Sequence, residues 1–297
     1  GNFNGPVQDL NLRNLDLGLG TETRLQANLK LRRPTQPDSL WLSSSNLDLR
    51  TTAEDIKTIT ALFQEVNWPE MMKDMGITRL QGSYEGFLKD FQANLHLKND
   101  LLNLKTDLHL AHLAYPKKAR YTGAIQIKKL ELGQLLGDSL LGDVHAHLRL
   151  DGRGFLPQSM RTRLDGAITQ LEYRDYQYDS LIVHGNIAQG AFAGKLNLSD
   201  PHVDFDFSGQ ASFGSDTSTY DFQARLDTAQ LYALNLSSDS LAEVSAQIDI
   251  DFKALNFEKW QGSAQLQNIS YNTSRSNYMI RNFDLTADGF GQEKSIR

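Results

Sequence analysis

Apolar and polar residues alternate with a period of two through Gly166–Phe213, and this alternation constrains the fold more than any other feature of the sequence. A β-strand turns successive side chains to opposite faces, so the stretch has one apolar and one polar face. Glycines and the pair Asp200–Pro201 interrupt the alternation at short intervals, as turns do. The stretch therefore predicts an antiparallel meander whose apolar face needs a cover.

The same alternation, dominated by leucine, extends over most of the chain. It fills residues 1–50, returns at Ile77 and continues to the end. The glycine-rich segment 130–142 interrupts it, and we expect one helical turn there over a strand connection. The sequence predicts a β repeat segment over 1–50 and continuing β repeats over 77–297.

Residues 51–76 depart from this pattern and predict a helical insertion that packs on the sheet or caps it. Thr52 precedes Asp55 as an N-cap precedes an acidic first turn. Apolar residues then follow at helical spacing as far as Val66. Pro69 can open a second short helix that stops at Gly76.

A short module, glycine-x-aromatic-x-glycine, recurs at uneven intervals. The copies are Gly1–Gly5, Gly82–Gly86 and Gly190–Gly194, each followed by alternating apolar positions. Because the spacing between copies varies, the chain is not a solenoid with a fixed repeat length. The repetition predicts one strand-pair pattern reused along a growing sheet.

Charge and cysteine content exclude several classes of protein. The net charge of −6 argues against binding nucleic acid and against tight adsorption to an anionic membrane. The absence of cysteine excludes disulfide scaffolds, zinc fingers and thiol nucleophiles. No apolar run approaches the roughly 18 residues that span a bilayer. The chain opens on GNFNG without a methionine, and we expect it to be an internal piece of a longer protein.

The apolar face must be buried against something, and one short helix is too small for it. A sandwich, a closed barrel, or a sheet curled into a gutter around an apolar ligand would each solve the problem. Two acyl chains of a phospholipid offer about 25 kcal/mol of shielding, at ~0.8 kcal/mol per methylene group. Energetics alone leaves all three solutions open.

Three segments in order resemble the TamB-like proteins of Bacteroidetes, within the wider AsmA-like group. They are YTGAI…LELGQLLGD…LGDV over 121–144, LDGAITQLEYRDYQY over 164–178, and GAFAGKLNLSDP over 190–201. The resemblance implies an all-β fold, an elongated and curved antiparallel sheet (a β-taco) with an apolar interior. It implies a periplasmic segment of an inner-membrane-anchored protein of the translocation and assembly module, in a Gram-negative bacterium. The implied partners are phospholipid acyl chains and, through parts of the full-length protein absent here, an Omp85-type outer-membrane barrel.

The search for chemistry predicts no enzyme, no cofactor and no metal site. His145 and His147 share one strand face, but no third ligand accompanies them. Motifs for phosphate binding, zinc hydrolysis or a nucleophile elbow are absent. Tyr173, Tyr176 and Tyr178 suit either a sugar-stacking platform or packing across strands.

We therefore expect a segment that carries phospholipids between the inner and outer membranes through an apolar groove and supports outer-membrane biogenesis. The alternatives are a scaffold for β-barrel assembly by β-augmentation, and an extracellular β-rich binding or adhesin array. The residues predicted to line the groove are Leu104, Leu108, Leu110, Val144, Ala146, Leu148, Leu150, Val183, Ile187, Leu196, Leu198, Val203, Phe205, Phe207, Phe222, Leu226, Ile248, Ile250 and Phe252.

Overall fold

The fold is all-β and antiparallel, as predicted, with two short helices. A computed structural model describes residues 1–36, 39–61, 75–113, 115–156, 158–213, 218–256, 259–288 and 295–296. The chain divides into two units. The first comprises Gly1–Ser139 and Asp143–Asp151, and the second comprises Leu140–Gly142 and Gly152–Arg297.

In the first unit each strand pairs antiparallel with its sequence neighbour, which is the pattern of a meander. Within the described residues its first and last strands do not pair, so the meander stays open. The strands are β1 (Asn2–Asn4), β2 (Asp9–Leu19), β3 (Thr23–Arg32), β4 (Trp41–Thr52), β5 (Ile77–Phe87), β6 (Asp90–Lys98), β7 (Leu102–Ala111), β8 (Arg120–Leu130) and β9 (Leu141–Arg153), whose ends belong to the second unit.

The second unit continues in the same way. Its strands are β10 (Arg161–Tyr173), β11 (Tyr176–Tyr178), β12 (Leu181–Ala188), β13 (Ala191–Asp200), β14 (Val203–Phe213), β15 (Ser218–Gln230), β16 (Glu243–Asn256), β17 (Lys259–Asn272), β18 (Asn277–Asp288) and β19 (Ser295–Ile296). Strand β10 pairs with both β11 and β12, and β12 through β18 pair in sequence order. The predicted meander over Gly166–Phe213 is therefore present, from β10 to β14.

Both helices occur where the sequence predicts helical structure. Helix α1 (Ala53–Ala61) begins after Thr52, whose hydroxyl accepts a hydrogen bond from the Asp55 amide at 3.3 Å. Helix α2 (Leu132–Leu136) is the helical turn expected within 130–142, and it ends at Gly137 in the left-handed conformation. The second helix predicted from Pro69 lies largely outside the described residues.

Leucines in β2 change parity between Leu12 and Leu15, and a β-bulge explains the change. The register shifts at this point, and Asn14 adopts a positive φ of 53°. A bulge inserts one extra residue, so the leucines before and after it keep to one face. The Asn28 side chain stabilises the site by accepting a hydrogen bond from the Asn14 amide at 2.7 Å.

Candidate functional site: the apolar face

Apolar side chains of the second unit form continuous rows that cross the strands. A row here means residues that are register partners on successive strands. One row runs Val183–Leu196–Phe207–Ala224–Ile248–Leu266, from β12 to β17. A neighbouring row runs Leu181–Leu198–Phe205–Leu226. We call the surface formed by these rows and their neighbours of the same parity the apolar face.

The predicted lining residues of the second unit all lie on this face. They belong to five adjacent strands, so the structure brings them together as one surface. They are Val183, Ile187, Leu196, Leu198, Val203, Phe205, Phe207, Phe222, Leu226, Ile248, Ile250 and Phe252.

The first unit repeats the arrangement with leucine. One row runs Leu17–Leu25–Leu49–Leu80–Leu97–Leu104–Ile127; Leu17 is exposed and the other six side chains are half-buried. The predicted residues Leu104, Leu108 and Leu110 share this face of β7. On β9, Val144, Ala146, Leu148 and Leu150 alternate with more exposed neighbours and share one parity.

A row of glycines crosses the apolar face next to its aromatic residues. Gly185, Gly194 and Gly209 are register partners on β12, β13 and β14. A Cβ at Gly185 would come within 2.6 Å of the Phe192 ring, and one at Gly209 within 2.4 Å of the Phe222 backbone. The ring therefore occupies the space that a side chain at position 185 would need.

The same pairing of glycine with aromatic residues recurs in the first unit. Tyr84 stacks on Phe91 with ring centroids 4.4 Å apart, and a Cβ at Gly86 would meet the Phe91 backbone at 2.6 Å. Burial raises the pKa of Tyr84 to about 12. Tyr84 and Phe192 are the central aromatics of two glycine-x-aromatic-x-glycine modules. The module was visible in the sequence, but neither residue was among the predicted lining residues.

Most large side chains on the apolar face are only partly buried. Of the fifteen buried hydrophobic residues among those described, nine are alanines. An ordinary core buries its large side chains at close-packed density. Here Leu196, Phe205 and Ile248 are half-buried, and within the described residues Leu234 is the one large side chain that is fully buried.

Leu234 belongs to a turn segment, residues 231–242, which covers one end of the apolar face in the second unit. It forms a cluster with Val203 and Ala229, against which Phe205 and Tyr176 pack. The Asn235 side chain donates a hydrogen bond to the Arg174 carbonyl at 2.8 Å and so attaches the segment to β10's end. Periodicity gives no sign of the contact between Leu234 and Val203, because the two residues are distant in sequence.

The tyrosines proposed for sugar stacking pack on each other and on this cluster. Tyr176 and Tyr178 meet edge to face with centroids 4.7 Å apart, and both contact the Leu234 cluster. The Tyr176 hydroxyl donates a hydrogen bond to Asp200, and burial with this carboxylate raises the pKa of Tyr176 well above its usual range. Tyr173 is the register partner of Tyr176 across β10 and β11, and the Arg174 guanidinium lies 5.7 Å from its ring centroid.

The opposite face carries hydrogen-bonded charges. Asp206 accepts hydrogen bonds from Asn197 at 2.7 Å and Arg225 at 2.8 Å, and these donors lower the pKa of its carboxyl. In the first unit Asp16 accepts from Arg24 and Gln26, which lower its pKa to about 2. Such exposed pairs contribute little to stability, and they mark this face as the solvated one.

A cavity of about 690 Å³ opens on the polar face of the second unit, across β12 to β17. Two polar rows line it, and the strand segments between them form its floor. Its two cations, Lys195 and Arg225, balance its two carboxylates, Asp206 and Asp249. Several of the lining groups are hydrogen-bonded, as the Gln223 amide is to Asp249 at 3.0 Å. We interpret this cavity as a hydrated trough between tall side chains.

The described residues contain no group of three potential metal ligands. His147 lies 2.8 Å from the side-chain amide of Gln126, so its ring nitrogen already has a polar neighbour. Among the same residues, no helix has the length and apolar content needed to cross a membrane. The arrangement offers a wide apolar surface and hydrogen-bonded charges behind it.

Comparisons of this chain with protein-family models, with curated proteins and with solved structures find no match.

Proposed function

We propose that the apolar face holds acyl chains, and that this chain is a segment of a TamB-like protein that carries phospholipids across the periplasm. One observation carries the proposal: large apolar side chains form continuous rows in both units yet stay partly accessible. Each large side chain left in water forgoes about 1.5–3 kcal/mol. A ligand of flexible methylene chains recovers that free energy without needing a fixed shape.

The chemistry of the face favours lipid over a rigid ligand. Its rows are built mainly from leucine, isoleucine and phenylalanine. Ser44 and Thr106 are polar members of the rows in the first unit, and neither carries a charge that could hold a phosphate. Small-molecule sites normally combine an apolar wall with a few fixed polar groups. A surface dominated by apolar side chains suits acyl chains that slide. The resemblance to the TamB-like family adds the periplasmic setting and the Omp85-type partner to the proposal.

Paired substitutions on adjacent residues of β9 test this proposal. Leu148 is half-buried on the apolar side, whereas His147 is exposed on the polar side. We expect Leu148→Asp to reduce the phospholipid that co-purifies with the protein several-fold, because a carboxylate is costly to desolvate beside acyl chains. His147→Asp should leave the bound lipid unchanged. Lipid is measured by extraction and mass spectrometry, and circular dichroism checks that both variants fold. Equal lipid in both variants would contradict the assignment.

A second candidate, a scaffold that pairs with barrel strands, rests on β18. Among the described residues, its outer edge pairs with β19 only at Ala287 and Asp288. Met279 and Ile280 on this strand are 78% and 46% exposed. An unpaired apolar edge is a template for another strand. If this function holds, Ile280→Pro should abolish capture of a barrel-strand peptide while Leu148→Asp does not. If Leu148→Asp impairs function and Ile280→Pro does not, lipid carriage is favoured.

A further inference from the structure

The turns at one edge of the first unit combine apolar tips with basic residues. A row of register partners runs Arg32–Trp41–Phe87–Asp90–Ala111–Arg120, and it ends β3 to β8 at this edge. The turn residues 5–8, 33–36, 88–89, 112–113 and 115–119 lie beyond that row. We call this edge, with its turns, the basic rim.

Backbone hydrogen bonds join neighbouring turns of the basic rim. The Arg33 amide donates to the Gln8 carbonyl at 2.8 Å, and the His112 amide donates to the Lys89 carbonyl at 2.8 Å. Each bond links two turns that are separate in sequence. The tips of the rim are therefore held side by side by the fold.

Large apolar side chains project into solvent from the rim. Val7, Leu88 and Tyr115 are 66%, 51% and 62% exposed. Trp41 is the register partner of Phe87 in the terminal row, and the Arg32 guanidinium lies 4.5 Å from its ring centroid. Clustered exposed apolar residues mark interaction sites, whereas isolated ones need no explanation.

Charge separates this rim from the opposite edge of the same unit. The described basic rim carries six cations and two carboxylates: Arg32, Arg33, Lys89, Lys117, Lys118 and Arg120 against Asp9 and Asp90. The turns, α1 and strand ends at the opposite edge carry two described cations, Lys57 and Lys98, and the carboxylates Glu22, Glu54, Asp55, Asp100, Glu131 and Asp138.

We infer that the basic rim docks on the headgroup layer of an anionic lipid bilayer. Trp and Tyr partition to the bilayer interface, and exposed leucine tips enter the boundary between head groups and chains. Each nearby Lys or Arg adds attraction to anionic lipids, and lysine stems lie along apolar surface while their ammonium groups stay in water. Screening confines this attraction to about 10 Å. The charge of the rim itself therefore determines how strongly it binds anionic lipid, rather than the net charge of −6 of the whole chain.

Binding to lipid vesicles tests the inference. A chain with Trp68→Phe and Trp260→Phe keeps Trp41 as its one tryptophan. We expect it to float with vesicles of equal parts phosphatidylcholine and phosphatidylglycerol, and Trp41 emission to be quenched by brominated acyl chains. Vesicles of phosphatidylcholine alone should bind at least about tenfold less. Equal binding to both vesicle types, or no binding, would overturn the inference.

Matched variants locate the docking surface. The double variant Lys117→Glu, Lys118→Glu should lower partition to the anionic vesicles at least about tenfold. Lys105→Glu with Lys128→Glu makes the same charge change on exposed strand residues away from the rim and should have little effect. Equal losses in both would overturn the inference. A dimer that forms without vesicles and is lost only in the Lys117→Glu, Lys118→Glu variant would also overturn the inference, because the rim would then join two copies of the chain.

This docking is independent of the apolar face. Leu148→Asp should leave flotation unchanged even where it removes co-purifying lipid, and the rim variant should keep that lipid. The two proposals therefore fail separately: a parent chain that does not float with anionic vesicles defeats the rim, and unchanged lipid in Leu148→Asp defeats the groove.

Discussion

Asp55 at the start of α1 connects the helix to the turn between β2 and β3. Its carboxylate accepts hydrogen bonds from the amides of Thr21, Glu22 and Thr23 at 2.7–3.0 Å, and from the Thr21 and Thr23 hydroxyls at 2.9 Å. The Thr23 hydroxyl also lies 2.7 Å from that of Thr51. The amide donors, Thr21's first, hold the pKa of the Asp55 carboxyl far below its usual range.

Because the folded-state pKa of Asp55 is depressed, its stabilising effect is present above the unfolded pKa near 4 and is lost as the pH falls below it. We expect Asp55→Asn to lower the urea midpoint at pH 7, since an amide offers one acceptor oxygen and turns two donors toward other donors. The variant should also lose less stability than the parent chain between about pH 5 and pH 3.

Glu54→Gln is the control for this prediction, because Glu54 is exposed in the same helical turn. It should leave both the midpoint and its pH dependence nearly unchanged. Urea unfolding followed by circular dichroism at several pH values measures both. If Asp55→Asn keeps the full pH dependence of the parent chain, the carboxylate is not the group that titrates.

At the scale of elements, segment 231–242 fixes one end of the apolar face. Leu234 is 2% exposed, whereas Leu236 in the same segment is 45% exposed. We expect Leu234→Ala to lower the free energy of unfolding by about 2–5 kcal/mol, the usual cost of a cavity in a packed cluster. Leu236→Ala should cost no more than about 0.5 kcal/mol. Equal costs from denaturant titrations would show that the segment is not packed as described.

The strands and α1 could be predicted from sequence because their signals are local. Alternation over Val183–Ile187 and capping at Thr52 each involve neighbours along the chain. The partners of Asp55 lie 32 to 34 residues away, and Val203 on β14 lies 31 residues before Leu234, so no local pattern indicates these contacts. The parity change at Leu12–Leu15 is a local signal for the bulge, because the leucine alternation shifts by one residue there.

The candidate site also combines local features, which could be predicted, with non-local ones, which could not. Alternation assigned the lining residues to one face, because parity is a local property. Which of them stay accessible depends on what covers the face. It could not be predicted that alanines such as Ala93 and Ala224 would be the buried members, or that Phe192 would cover Gly185. The basic rim could not be predicted either, because its charges come from turns that are distant in sequence and lie side by side only in the folded sheet.

At the scale of the whole molecule, both units repeat one arrangement: an apolar face left accessible and a polar face of paired charges. Such a surface is stable in water only if something apolar meets it. We propose that the acyl chains of phospholipids cover this surface. Because the chain contains no cysteine, a single introduced cysteine carries a probe at one defined place.

The most direct measurement places an environment-sensitive fluorophore at Ile248→Cys on the apolar face, and at Asp249→Cys beside it on the polar face. Ile248 is half-buried in the long apolar row, and Asp249 lines the polar trough. With phospholipid brominated in its acyl chains, we predict strong quenching of the probe at position 248 and little at position 249. Equal quenching at both positions, or none at position 248, would contradict lipid binding on the apolar face.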